Sequence, residues 1–369
     1  MTATVAFLRS KSPAGVEPRL DKEARTLAEA GYDVHAILWD RALEHPVEET
    51  RTGYAIHRVR LRAPEGRPAL LVQMPRWWLR AWRKLQALRP QVVHAVDLDS
   101  LLPALMARRA YGSLVVYDIF DFYGPMIALN LPSRVREVLA DLERRAARRA
   151  DLVVLPDLAR AAFFGDRKPA RVIEVMNVPE ERAVVPKPQK FFTVFYGGQI
   201  ARDRGIPELV HACESVGARL VVAGHGPDET VLVPMVESSP AAMFVGNLSY
   251  DEVLTWTASC DVVAALYDPA IPNNRLASPN KLFEAMMLGK PVVTNEGIGL
   301  AELVRKEGIG AVARYGDAAS IQKALEELML SPSRCSDMGA RGRALYEARY
   351  RWDAQRERLV SAYRELLGG

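Results

Sequence analysis

The stretch from Ser278 to Thr294, Ser-Pro-Asn-Lys-Leu-Phe-Glu-Ala-Met-Met-Leu-Gly-Lys-Pro-Val-Val-Thr, has residue types and spacings suited to holding an anion. Ser278 is a good helix N-cap and Pro279 suits the first helical turn, so Asn280 and Lys281 would offer free backbone N–H groups to a diphosphate. Leu282, Ala285, Met286 and Gly289 recur at helical spacing toward a core, which turns Glu284 outward, in reach of a sugar hydroxyl. Gly289 stops the helix, and Pro291 to Thr294 reads as the next strand. Alone, the pattern also fits any strand–helix unit with a capped helix.

Elements upstream must position this seat. Phe191 to Ile200 is an apolar strand running into the paired glycines Gly197 and Gly198, where backbone can approach a phosphate without a Cβ in the way. Arg202 and Arg204 follow as candidate cations before Pro207 opens another helix. Ala218 to Pro227 is a second strand ending in a glycine turn, Gly224-His225-Gly226, predicted to border the ligand. Met243 to Leu248 brings Asn247 and Leu248 to a predicted base-binding position, and Cys260 to Tyr267 is a further strand. Strands that repeatedly end in glycine or polar loops describe an α/β, doubly wound sheet with a ligand crevice along one edge.

The first half repeats the design. Thr4 to Leu8 is a buried strand, Ser12 to Val16 a turn-rich loop, and Pro18 to Gly31 an amphipathic helix ended by glycine, with Val34 to Trp39 completing a βαβ unit. Gly15 is the candidate for close backbone approach to a ligand, an ordinary turn being the alternative. Gln91 to Ser100 and Leu114 to Tyr123 are strands ending in polar groups at the expected crevice. Asp118 and Asp121 are candidates for binding a sugar hydroxyl or acting as acceptor base, against a cap and a surface carboxylate. Asp97-Leu-Asp99 spells a possible metal-binding Asp-x-Asp, but its place at a strand-to-helix junction favours capping; His94 beside it fits a packed histidine near the crevice.

These motifs resemble the group 1 (family four) retaining glycosyltransferases, and Ser278 to Glu284 resembles the subset reading Ser-Pro-Asn-Lys-Leu-Phe-Glu. The resemblance implies the GT-B fold: two Rossmann-like doubly wound domains facing across a cleft, with a nucleotide diphosphate-sugar on the C-terminal loops. It implies that Arg204 takes the place of the family's diphosphate-binding lysine. Gln199 stands where an arginine is usual, with Arg202 as its possible substitute. Glu284 matches the second glutamate of the family's Glu-x7-Glu pair, the one that holds the ribose, while Leu276 replaces the first. Glu17-Pro-Arg-Leu and Lys22-Glu-Ala-Arg resemble the family's opening helix, and Phe120 replaces a histidine that would touch a sugar. Phe120, with His94 and Asp97 near the predicted crevice, is assigned to the acceptor or sugar side.

Composition agrees with two cores: at 369 residues, 49% hydrophobic and 25% charged, the chain exceeds one typical domain. The predicted boundary is the proline-rich Val178 to Gln189, giving an N-terminal acceptor domain over 1–180 and a nucleotide-sugar domain over 181–349. By resemblance a last helix, about 350–369, crosses back to the first. Cys213, Cys260 and Cys335 are too scattered for a zinc site or a disulfide framework. With no signal peptide and no apolar run of about 18 residues, the chain is expected to be cytoplasmic. The net charge of +4 gives no argument for a nucleic-acid partner.

Two helices concentrate charge. Met74 to Leu88 sets Trp78, Trp82 and Leu85 on one stripe, widened by Trp77, with arginines around the rest; it suits either packing on the sheet or lying on anionic lipid at the cytoplasmic face. Arg134 to Arg149 reads as a solvated face with internal ion pairs. Together they suggest a lipid-linked acceptor.

The resemblance implies sugar transfer with retention and no metal or other cofactor, the donor's base, uracil or guanine, being open. The catalytic assignments are Arg204, Lys281, Asp118 and Asp121. The departures at Gln199, Leu276 and Phe120 motivate a rival, a nucleotide-sugar-binding protein without turnover. A hydrolase or epimerase would need a catalytic acid pair for which the sequence offers no convincing candidate.

Overall fold

The apolar runs assemble into two sheets in a computed structural model that describes residues 2–10, 16–63, 67–123, 132–275 and 279–368. Gly15, Leu276 and Ser278 lie outside the described residues. By contacts the chain divides into a first unit, 1–176 with 355–369, and a second, 177–354.

The first sheet contains β1 (Thr4–Arg9), β2 (Asp33–Asp40), β3 (Glu48–Arg51), β4 (Tyr54–Arg60), β5 (Val92–Val96), β6 (Leu114–Asp118), β7 (Leu152–Leu155) and β8 (Val172–Glu174). They run in the order β3-β4-β2-β1-β5-β6-β7-β8, parallel except for β3 against β4. Helices cover the parallel part, so its strands read as unbroken apolar runs: Val5, Ala6, Phe7 and Leu8 are fully buried. The last helix, Trp352–Leu366, belongs to this unit. Gln355 Oε1 accepts from the Met176 N–H at 3.0 Å, Arg356 pairs with Glu29 at 2.7 Å, and Tyr363 is fully buried.

The second sheet contains β9 (Thr193–Gly197), β10 (Arg219–Ala223), β11 (Ala242–Phe244), β12 (Val262–Ala265), β13 (Val292–Asn295) and β14 (Gly310–Ala313). Its order, β11-β10-β9-β12-β13-β14, is all parallel and reverses direction at β9. Connections leaving β9 and β12 therefore diverge to opposite faces and open a crevice at their C-terminal ends, the place where doubly wound sheets bind ligands. The proline-rich stretch 178–189 has neither helix nor strand.

The tryptophan helix, Arg67–Leu88, faces the core and not a membrane, which corrects the lipid-contact expectation. Trp77 is fully buried and stacks on Trp39 at 5.6 Å; Trp78 packs on the core and donates its Nε1–H to the Asp99 carbonyl at 2.7 Å; Trp82 stacks on Tyr111 at 5.8 Å. The reason is elementary: a helix covering a sheet needs one wide apolar face, and the aromatic stripe is the one it has. Among the described residues no helix is long and apolar enough to cross a membrane. Trp77→Ala should cost about 3–5 kcal/mol of stability, read by chemical denaturation; a loss below about 1 kcal/mol would mean the stack carries no core packing.

Candidate functional site

The crevice of the second unit is built by four strand ends. β9 closes on Tyr196, whose hydroxyl donates to the Gln199 carbonyl at 2.6 Å and so holds the Gly197–Gly198 turn. The Lys281 Nζ sits 4.1 Å from the centre of the Tyr196 ring and 5.5 Å from that of Tyr267, which follows β12. A Cβ on Gly198 would come within 3.0 Å of that Nζ, so the missing side chain leaves room for the ammonium. Among the described residues Lys281 makes no hydrogen bond or ion pair; its contacts are with the two rings. Burial and the neighbouring Arg204 push its pKa down to about 7, against the pull of Glu284.

Arg204 is held from three sides. Its Nη1 donates to Asp203 at 2.6 Å and to Asn274 Oδ1 at 3.2 Å, and its Nη2 to Gln199 Oε1 at 3.2 Å, while the guanidinium lies 4.8 Å over Tyr267. Asn295 fixes Tyr267 in turn: its Oδ1 accepts from the Tyr267 N–H at 2.8 Å and its Nδ2 donates back to the Tyr267 carbonyl at 3.0 Å. Lys281 lies in the first turn of the helix Asn280–Met287. There Pro279 is the cap, makes no side-chain cap bond, and the Asn280 Oδ1 is buried without a partner. The expectation placed the cap at Ser278; the helix begins one residue later than that, because Pro279 keeps an extended ψ of 137°.

Several assignments are placed differently. Glu284 is buried and not turned outward; the Tyr250 hydroxyl hydrogen-bonds its carboxylate, and burial together with that bond pushes the phenol above its usual range. Leu282 is core. Arg202 does not substitute for the missing cation: 71% exposed, it pairs with Asp228 through its Nε at 3.2 Å, and its backbone N–H also donates to that carboxylate. Gly224 and Gly226 serve backbone packing, since a Cβ would lie 1.8 Å from the Gly198 carbonyl oxygen and 2.3 Å from that of Ile200. The His225 carbonyl accepts the Ile200 N–H at 3.0 Å in the same contact, with the ring exposed. Asn247 is exposed and Leu248 half-buried in the loop after β11. Tyr196, Tyr267, Asn274, Asn295 and Tyr250 were not singled out as site residues; Tyr196 and Tyr267 do end apolar runs at glycine or polar turns, which was their available signal.

The first unit gathers a different constellation at the ends of β1, β5 and β6. Arg19 bonds Glu23 at 2.9 Å and Asp118 at 2.8 Å, and His94 lies between Asp118 at 3.3 Å and the Tyr363 hydroxyl at 2.7 Å, all fully or nearly fully buried. Burial pushes His94 down to about 4 and, with Asp118 beside it, Glu23 up to about 8, so at neutral pH the imidazole is neutral and Glu23 largely protonated. Glu23, His94 and Asp118 offer ligand atoms within 4.8 Å of one another, the arrangement a metal could use, but the Arg19 guanidinium already supplies the positive charge.

Burial corrects the reading of Asp118, which is fully buried and so not placed to meet an acceptor, while His94 is the packed histidine that its position suggested. Asp97 sits at the N-cap position of the helix Leu98–Tyr111, but its side chain is used elsewhere. At φ 62° it makes no cap bond, and its Oδ1 accepts from the Phe120 and Asp121 N–H groups at 3.0 and 3.2 Å, pinning the loop after β6. That loop carries Phe120 between the guanidinium groups of Arg9 and Arg19, each 4.4 Å from its ring centre, while Asp121 remains half-buried.

With this geometry in hand, family models match both halves: "Glycosyl transferases group 1" over residues 177–345 and "Glycosyl transferase 4-like domain" over 14–185. The chain belongs to the group 1 glycosyltransferases. Its fold is GT-B, as in sucrose-phosphate synthase from Thermosynechococcus elongatus, with a TM-score of 0.83 at 18% identity covering 99% of both chains. A structure of Anabaena HepE in complex with UDP-glucose gives 0.74 at 14% identity over 98% of this chain and 99% of that one. Among curated proteins, the GDP-mannose-dependent monoacylated alpha-(1-6)-phosphatidylinositol monomannoside mannosyltransferase of Corynebacterium glutamicum is 29% identical over 169 residues, 44% of this chain and 43% of that one. The GDP-mannose-dependent alpha-(1-6)-phosphatidylinositol monomannoside mannosyltransferase of Mycobacterium tuberculosis is 28% identical over 181 residues, 47% of each. The chain thus matches less than half the length of these curated relatives.

A testable consequence concerns Lys281. Its ammonium attracts a diphosphate and its amine does not, so the binding form is intact below about pH 7 and is lost as pH rises through that value. Affinity for a nucleotide diphosphate-sugar, whose diphosphate stays ionised throughout, should fall roughly five- to tenfold from about pH 6.5 to about pH 8 in titration calorimetry. The slope should vanish in Lys281→Met; an equal slope in that variant would move the titration to another group.

Proposed function

We propose that the chain transfers a sugar from a nucleotide diphosphate-sugar to a glycan or lipid-linked acceptor, with retention of configuration and without a metal ion. The observation that carries the reading is the ammonium of Lys281, packed on Tyr196 and Tyr267 beside Gly198 with no carboxylate bonded to it among the described residues and with Arg204 as a second cation nearby. When the glycosidic bond breaks, negative charge grows on the leaving diphosphate. Arg204, Lys281 and the N–H groups near Gly198 and Asn280 stabilise that charge, each donor contributing about 2–4 kcal/mol to the barrier reduction. Glu284, oriented by Tyr250, takes a ribose hydroxyl. On the acceptor side the reading keeps Asp121 and Phe120 and drops Asp118 as a base because it is buried. The acceptor hydroxyl enters from the face the diphosphate leaves, which preserves configuration.

The donor in this reading is GDP-mannose, and the acceptor a mannosylated inositol phospholipid or a related lipid-linked glycan. Support comes from what the Corynebacterium and Mycobacterium relatives are named for. A thermal-shift panel of nucleoside diphosphates should show GDP stabilising the chain more than UDP, and a preference for UDP would replace the donor assignment.

Turnover decides the enzyme assignment. Lys281→Ala should lower transfer or donor hydrolysis about 100-fold while leaving the unfolding midpoint near that of the native chain. Near-normal turnover in this variant would refute the cradle. Tight binding by the native chain with no turnover on any donor and acceptor pair would favour the binding-protein reading.

A further inference from the structure

Two histidines meet at the edge of the first sheet. His35 on β2 and His57 on β4 lie on neighbouring parallel strands, where His57 is opposite Ile37, and β3 sets Glu48 against His57 from the other side. The Nδ1 of His35 is 3.0 Å from the Nε2 of His57. The ring centres are 5.2 Å apart with the planes 28° from parallel, close to the widest that two imidazoles allow at that N···N distance, so the rings meet edge to edge. Each outer nitrogen faces a carboxylate: His35 Nε2 is 3.3 Å from Asp33, which also accepts from the Thr4 hydroxyl, and His57 Nδ1 is 3.5 Å from Glu48. Lys84, from the helix Arg67–Leu88, lies 3.9 Å from the same Glu48 oxygen and completes the charged surroundings. The imidazoles are largely covered, their side chains 18% and 17% exposed, whereas the two acids reach into solvent.

Proton counting decides what this row of groups can do. With two protons on the pair, one forms the inner bond, and one outer nitrogen turns a lone pair toward its carboxylate. With three, every contact is a hydrogen bond: His35 donates to Asp33 and to His57, and His57 donates to Glu48. With four, both inner nitrogens carry protons, and two cations face each other where the bond was. We infer that His35 and His57 form an acid-operated latch that ties the β3–β4 edge to β2, closed while the rings share one inner proton and open when both are charged. β3 is the edge strand and pairs with β4, so the contact between β4 and β2 is what holds both to the sheet. Burial, with His35 and Lys84 as neighbouring cations, keeps His57 below the ordinary histidine value against the pull of Glu48. The folded chain therefore resists the fourth proton and the unfolded chain accepts it. The stability the latch contributes is present above the unfolded histidine value, about 6.5, and is lost as pH falls below it. None of these residues has a part in the proposed sugar transfer, so the two readings stand or fall separately.

The test is hydrogen exchange of the full chain, with protection corrected for the intrinsic amide rate, together with 15N spectra of the imidazoles. Between about pH 7 and about pH 5, protection of the β3 and β4 amides should fall roughly tenfold more than that of β1 and β5. The 15N spectra should show the two rings titrating in separate steps, the second belonging to His57. His57→Gln keeps an acceptor for His35 and a donor for Glu48 but has no proton to gain, so it should abolish the extra loss of protection in acid. An equal acid loss in His57→Gln overturns the latch, as does an equal loss in all strands of the sheet, since opening would then be global. Should the variant fail to fold, the native spectra decide: a single common titration step for both rings overturns the latch, and two steps support it.

Discussion

A positive charge removed from water must be met by an anion, a hydrogen bond or an aromatic face, and among the described residues Lys281 is met by the last alone. The Lys281 ammonium rests on two phenol rings, an attraction weaker than its lost hydration, with the Arg204 guanidinium adding repulsion. The Lys281 ammonium is therefore electrostatically unbalanced, an imbalance that the diphosphate of the proposed donor would relieve. The surrounding hydrogen bonds fix the geometry in advance: Asp203, Asn274 and Gln199 hold the guanidinium, Asn295 holds the Tyr267 backbone, and Tyr250 holds Glu284. Preorganised donors of this kind need no rearrangement at the moment charge develops.

The first unit has the same sheet logic and the opposite electrostatics. Its buried polar groups meet one another: Arg19 pairs with Asp118 and hydrogen-bonds the largely protonated Glu23, and the neutral His94 links Asp118 to Tyr363 of the last helix. The network is not fully closed, since Glu23 Oε2 and the Nε and Nη1 of Arg9 are buried without a hydrogen-bond partner among the described residues, and what it offers is position. Arg19 and Arg9 clamp Phe120 from the buried side while Asp97, at a strained positive φ, draws in the backbone of the same loop. A tyrosine far along the chain is thus part of what seats the loop after β6.

How much of this the sequence disclosed follows from the range of each interaction. Unbroken apolar runs and glycine or proline stops are local signals, and they suffice for the strands of both sheets. The convergence of Gly198 and Lys281 was legible because the order of a doubly wound sheet brings those strand ends together. Readings that needed the third dimension went astray. Gly224 and Gly226 make room for neighbouring backbone, which a glycine turn signals no differently from room for a ligand. Periodicity places Trp78 and Trp82 on one face of their helix but does not say whether that face meets core or lipid. Tyr196 and Tyr267 passed as core residues at strand ends, since nothing local announces a ring turned toward a lysine from a distant helix.

The glutamine at position 199 has a physical consequence beyond the loss of a family arginine. Arg202 is largely exposed, and its charge is met by Asp228. The seat thus has two cations, and Gln199 orients one of them by accepting from Arg204. A third cation at that turn would add repulsion to a Lys281 already depressed to about 7 by burial and by Arg204, leaving less ammonium at neutral pH. A permanently charged guanidinium disfavours protonation of a neighbouring amine, so a neutral acceptor at 199 keeps the lysine nearer its charged form. The substitution that looks like a missing contact is, on this argument, what allows a half-buried lysine to act as one.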